Sequence, residues 1–207
     1  ARTMSLRLTR PKRINLTEPL NLNVSSRVES MTNADIFSAF ASQLFPVLYE
    51  SFPLPVKLPK QNFVDELESQ SELWDLKQQQ SMVIGMAELL EAAGKMTPEN
   101  RAKAEHRQSA LEAKVLAKSE KLQHMNAIFD GTVAFLLNEG FIRSDDDRNF
   151  QLTLKGFVHL NKRFERTGIQ DGARYIDRLV DLLRPDKFTG AVSSGTLSSL
   201  IANIFGG

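Results

Sequence analysis

The sequence predicts a mainly α-helical protein that carries one small β-wing and one long helical hairpin. Three observations lead there. Apolar residues recur at helical spacing in several separate stretches. Residues 128–160 read in order as helix, short strand, tight polar turn, second strand and helix. Residues 71–123 form two long helical runs in which charge interrupts a thin apolar row.

Bulk composition narrows the class. Hydrophobic residues make up 42% and charged residues 25%, an ordinary globular balance. Net charge is +1, so the chain lacks the global basic field of many dedicated nucleic-acid binders. With no cysteine, disulfides, zinc fingers and thiol chemistry are excluded. A reducing cytoplasm is the simplest setting, and the Asn15-Leu16-Thr17 sequon carries little weight there. No apolar run approaches the roughly 20 residues that span a bilayer. The first residues lack the apolar region of a signal peptide, and Met4 reads as a native start.

Residues 1–32 read as an extended basic arm. Arg7, Arg10, Lys12 and Arg13 precede the first acid, Glu18, and Pro11 and Pro19 exclude a helix. Alternation at Leu6-Arg7-Leu8 and Ile14-Asn15-Leu16 suggests short strands. The first helix is expected at Thr32 or Asn33, with Asp35 in its first turn. Ile36, Phe37, Phe40, Leu44, Phe45, Leu48 and Phe52 give it a buried face, and Pro46 should kink it. Pro53, Pro55 and Pro59 force an extended connection, followed by a short helix over Gln61 to Leu67.

In the next segment Leu73, Leu76, Val83, Met86, Leu89 and Leu90 mark one helix, which Gly94 ends. Thr97-Pro98 starts another, as cap and first helical residue. Leu111, Val115 and Leu122 form its sparse apolar row, a coiled-coil-like seam against its neighbour or a docking row for a partner. Trp74 and the thirteen Phe read as core. Thr153 should cap a helix running to about Phe164, with Gly168 and Gly172 loosening the link to a helix over Tyr175 to Leu183 that Pro185 stops.

Residues 36–52, 61–67 and 124–138, with Gly140-Phe141-Ile142, Phe150-Gln151-Leu152 and the return Leu152-Thr153-Leu154-Lys155-Gly156, resemble the winged-helix superfamily. The resemblance implies a winged-helix-like core over 33–70 and 124–166. Segment 71–123 is then an inserted hairpin where the fold has a short turn, and 167–207 forms C-terminal helices and an apolar tail. DNA-binding members place the third helix in the major groove, where donors and cations are required. Here no Lys or Arg lies from His124 to Glu139, and the wing turn carries Asp145, Asp146 and Asp147. Phosphate would be repelled there. The charge pattern suits protein contacts, the use known for winged helices of chromosome-organising and sorting complexes.

Catalytic signatures are absent from the sequence. His106, His124 and His159 lack metal-ligand spacing, and the triple-Asp turn lacks the later Gly and Glu of a calcium loop. No cofactor and no small-molecule substrate is expected. In the tail, Leu197, Leu200, Ile201, Ile204 and Phe205 form an apolar stripe opposite Ser, Thr, Gly and Asn. It suits docking on its own domain first, on a partner second and on a membrane third. The expected function is a non-catalytic, protein-binding subunit of a larger, bacterial-type assembly, or a homodimer. The alternative is a DNA-binding regulator using Arg7, Arg10, Lys12, Arg13, Lys155, Lys162, Arg163 and Arg166.

Overall fold

The computed structural model describes residues 31–68, 70–145, 148–166 and 169–206. The basic arm through residue 30, with the two short strands expected in it and Arg7, Arg10, Lys12 and Arg13, lies outside them, as do Asp146 and Asp147.

Helix α1, Asn33–Ser51, is the centre of the body. Its N-terminus is closed by reciprocal bonds: Asp35 N–H donates to Thr32 Oγ1 at 3.3 Å, and Thr32 N–H donates to Asp35 Oδ2 at 3.0 Å. The Thr32 hydroxyl bond holds the Asp35 carboxyl below the usual carboxylate range. From Ser38 to Pro46 every residue is buried, so α1 has almost no solvent side there. Of the polar residues in that run, Ser38 and Ser42 donate to the carbonyls of Ala34 and Ala39 at 2.7 Å, and Gln43 Nε2 donates to Glu66 of the next helix at 2.7 Å. The helix continues through Pro46.

Strand β1, Val56–Lys57, lies in the proline-rich connection that reads as merely extended. Helix α2, Lys60–Leu67, follows and buries Phe63, Val64 and Leu67. Helices α3, Gln70–Ala92, and α4, Pro98–Asn138, form the long hairpin. Thr97 caps α4 with Pro98 at its first position, as expected. One boundary is absent. The sequence separates a hairpin helix ending near Gln123 from a core helix starting at His124, but α4 is a single 41-residue helix. Nothing between Leu111 and Asn138 breaks a helix, because Gly131 alone costs only about 1 kcal/mol against Ala.

The wing pairs as predicted, Ile142 opposite Leu152, with β2 at Ile142–Ser144 and β3 at Asn149–Leu152. Strand β1 adds to the other edge of β3, giving a three-stranded antiparallel sheet ordered β1-β3-β2. Helix α5, Leu154–Asn161, starts at the Thr153 cap but ends short of the expected Phe164. The chain instead forms a second antiparallel ribbon, β4 at Arg163–Arg166 and β5 at Ile169–Arg174. Of the predicted loose link, Gly172 lies in β5, and Gly168 is outside the described residues. Cross-strand bonding satisfies that backbone, and one-dimensional helical spacing does not register it.

Helices α6, Tyr175–Leu182, α7, Pro185–Ser193, and α8, Thr196–Gly206, complete the shell. Pro185 both stops α6 and opens α7. The tail stripe packs inward. Leu197, Leu200, Ile201 and Ile204 are buried, and Phe205 meets Phe37, Phe45, Phe135 and Phe141 at centroid distances of 4.9–6.1 Å. Ser198 Oγ donates to Asp35 Oδ1 at 3.0 Å, which ties α8 to the N-terminus of α1.

Gly156 shows how tightly the wing sits on α5. A Cβ there would lie 2.5 Å from the Phe141 carbonyl oxygen and 2.8 Å from Leu152 Cδ1. Gly156→Ala should therefore destabilise the fold by about 1–3 kcal/mol, read as a lowered thermal midpoint by circular dichroism. An unchanged midpoint would mean the strand and helix yield without cost. Deleting residues 196–207 removes four buried side chains worth roughly 1.5–3 kcal/mol each, against a typical total of about 5–15 kcal/mol. The truncated chain should lose its cooperative melt.

Candidate functional site

The structure sorts the expected partner-docking residues differently from their sequence pattern. Leu197, Leu200, Ile201 and Ile204 are core, and Phe205 is half-buried among phenyl rings, so the tail stripe is closed to a partner or a membrane in this fold. The reason is α1, whose apolar surface extends around the whole helix and takes α8 as one side of its cover. Leu122 is buried in the core of the body, while Leu111, buried, and Val115, half-buried, lie in the row with which α4 meets α3. That row is an intramolecular seam. Among the described residues, no helix is long and apolar enough to cross a membrane.

The nucleic-acid candidates are dispersed. Lys155 Nζ donates to the Glu139 carbonyl at 2.5 Å and lies 4.9 Å from the Phe141 ring centre, where it caps the negative end of α4. Lys162 and Arg163 are exposed just beyond α5. Arg166 is placed in β4, and its side chain is outside the description.

The C-terminal half of α4 presents a surface of low relief and little positive charge. Met125, Phe129, Val133 and Leu136 point into the core. Ala127, Asp130, Gly131, Ala134, Asn138 and Glu139 are exposed on the other side. Two ammonium groups border it: Lys60 Nζ lies 2.9 Å from Asp130, and Lys155 Nζ is bonded to the Glu139 carbonyl. His124 Nε2 is 2.9 Å from Asn33 Oδ1, and His159 Nδ1 is 3.1 Å from the Ile204 carbonyl. On the wing, Asp145 receives the Asn149 backbone N–H at 2.8 Å, and Arg148 adopts φ 58°. The carboxylate there shapes the turn. Among the described residues, no group of three or more His, Cys, Asp or Glu side chains is placed to hold a metal ion.

The hairpin is locked where it leaves the body. Glu68, with its side chain 1% exposed, faces Lys118 and Lys121, and Lys118 also reaches Glu72. Glu68 Oε2 is 2.7 Å from Lys121 Nζ but off hydrogen-bond geometry, so Coulomb attraction alone compensates that oxygen. Burial opposes the Lys118 charge. The hydrogen bonds and negative charges of Glu68 and Glu72 together outweigh it and hold the ammonium above the usual lysine range. At the far end Arg101 meets Glu91 at 2.6 Å. These two anchors fix α3 and α4 as an antiparallel pair.

Sequence reasoning misplaces the residues on the open side of that pair. Trp74, read as core, is 60% exposed; Met86 and Leu89, among the apolar residues that mark this helix, are 63% and 70% exposed. Met82 is exposed too. The row that meets α4 is Leu73, Leu76, Gln80, Val83, Ala87 and Leu90, all half-buried, at alternating steps of three and four. Met86 and Leu89 each precede a member of that row by one position, which turns them about 100° away from it. The heptad phase was present in the sequence, but its two rows overlap.

No protein-family model, curated protein or solved structure matches the chain.

The Glu68 lock is testable. Glu68→Ala leaves Lys118 and Lys121 adjacent with only Glu72 between them, and should cost on the order of 2–4 kcal/mol. Hydrogen exchange should show the loss concentrated at residues 70–122. Uniform loss across the body would indicate a general packing role instead.

Proposed function

We propose that this chain is a winged-helix protein that binds other protein surfaces and serves as a non-catalytic assembly subunit. The connectivity α1-β1-α2-α4-β2-β3, with β1 closing on β3, supports the winged-helix reading. In that reading the C-terminal half of α4 occupies the position that enters a DNA groove, and α3 with the first half of α4 is an insertion. The observation that carries the functional reading is the face of α4 beyond His124. It offers Ala127, Asp130, Gly131, Ala134 and Asn138, with Lys60 paired to Asp130 and Lys155 bonded to the Glu139 carbonyl. Phosphate contacts dominate nucleic-acid affinity, and such a face supplies none. The small side chains at Ala127, Gly131 and Ala134 let another backbone approach closely, beside the partly exposed ring of Phe135.

Three of the groups whose titration the fold displaces suit a structural role. Asp35 caps α1, Lys118 locks the hairpin, and Asp177 is held low by its bidentate bond to Arg174. All three are spent on internal bonds.

Mobility shifts with duplex DNA at several salt concentrations test the reading. The expected result is no shift, or a weak one without sequence preference. A tight complex with a steep salt slope, lost on neutralising Arg7, Arg10, Lys12 and Arg13, would overturn it in favour of a DNA-binding regulator.

A further inference from the structure

The hairpin is half-finished as a helical assembly. Its two helices satisfy each other along one seam, and α3 then offers a second apolar row to solvent. Trp74, Met82, Met86 and Leu89 are 60–70% exposed along about 22 Å of helix. Beside this row runs a groove with Met82 and Met86 on one wall and Lys103 and Arg107 of α4 on the other. Exposed large side chains in such a row mark an interaction surface.

We propose that this face docks on the same face of a second copy, with the two α3 helices antiparallel about a two-fold axis near Met82, forming a four-helix bundle. The proposal rests on the protein-binding reading above and names the partner. Charge selects the occupant and the direction. Among the described residues, Asp75, Lys77 and Glu88 make no ion pair within the chain. Lys77 lies five residues before Met82 and Glu88 six after it, so an antiparallel pair centred there sets Lys77 beside Glu88 of the second copy, twice. Trp74 likewise meets Leu89 of the second copy, and Met82 meets itself. The Arg101–Glu91 and Lys118–Glu72 pairs set the level of α4 against α3, and at that level the second copy's Asp75 comes alongside Lys103. A parallel pair would oppose Asp75, Lys77 and Glu88 each to its own kind. Size agrees as well. A face about 35 Å long and two helices wide covers roughly 700 Å² per copy, close to the roughly 800 Å² per partner of a stable interface.

Light scattering and sedimentation of the full chain should give twice the 23.2 kDa of one copy. Met82→Glu with Met86→Glu should give single copies with unchanged helix content. Lys77→Glu should raise the dimer dissociation constant about tenfold, and adding Glu88→Lys should bring it back to within about twofold. Because the chain has no cysteine, register can be read directly. Met82→Cys copies should cross-link to each other. Leu89→Cys copies should not, since their positions lie about 21 Å apart in this register and a disulfide needs Cα atoms within about 7 Å. A monomeric native chain, a dimer indifferent to the Met82 and Met86 changes, or equal cross-linking at Leu89→Cys would each overturn the proposal. A monomer that binds a different protein through Met82 and Met86 would overturn the second copy and leave the protein-binding reading standing. A dimer of this register that also binds DNA with a steep salt slope would support the proposal and sink that reading.

Discussion

The constraint on which the body depends is that α1 has to be covered on every side. Nine consecutive residues of it, Ser38 to Pro46, are buried, and no single neighbour can surround a helix. The wing sheet, α2, the C-terminal half of α4, α6 and α8 each take a sector. The last sector is filled from the far end of the chain, where Ser198 reaches back to Asp35. The tail is therefore structural in this fold, and Phe205 among four phenyl rings is its most constrained point. Closing a contact over that sequence separation costs chain entropy, and the burial of α8 offsets it.

Helix α4 joins this closed body to the open hairpin. Its last turns carry Met125, Phe129, Val133 and Leu136 into the core, while its first half carries a heptad row that meets only α3. A continuous helix transmits orientation, so the hairpin projects in a direction set by the core. The cluster of Glu68 and Glu72 with Lys118 and Lys121 holds α3 at the same angle from the other side. Buried ion pairs of this kind specify geometry more dependably than they add stability. The two halves differ in what they leave unfinished. The body exposes Leu54, Leu154 and Val158 near its surface loops and α5, whereas the hairpin leaves Trp74, Met82, Met86 and Leu89 open along one helix.

Positive charge is likewise arranged for structure. Lys155 closes the end of α4, Lys60 pairs with Asp130, and Arg174 spans Asp177, Tyr49 and Asn161. With those side chains engaged, the face beyond His124 is neutral to acidic, and this local balance bears on function more than the net charge of +1.

The sequence by itself determined what local chemistry controls. The Thr32, Thr97 and Thr153 caps, the Pro98 helix start and the Ile142–Leu152 register all follow from short-range rules that need no partner. The tail stripe was legible as something to be buried, because five apolar side chains at helical spacing admit little else. Tertiary structure decided where each row is spent. Leu197 and its neighbours went to α1, Leu122 to the core of the body, Leu111 to the hairpin seam, and Trp74 to solvent. Strand β1 and the β4–β5 ribbon also appeared only with their partners. The physical reason is the same in each case. A periodic row fixes which side of an element is apolar, while hydrogen-bond partners and covering surfaces come from residues far away in the chain, and their position is a property of the packed whole.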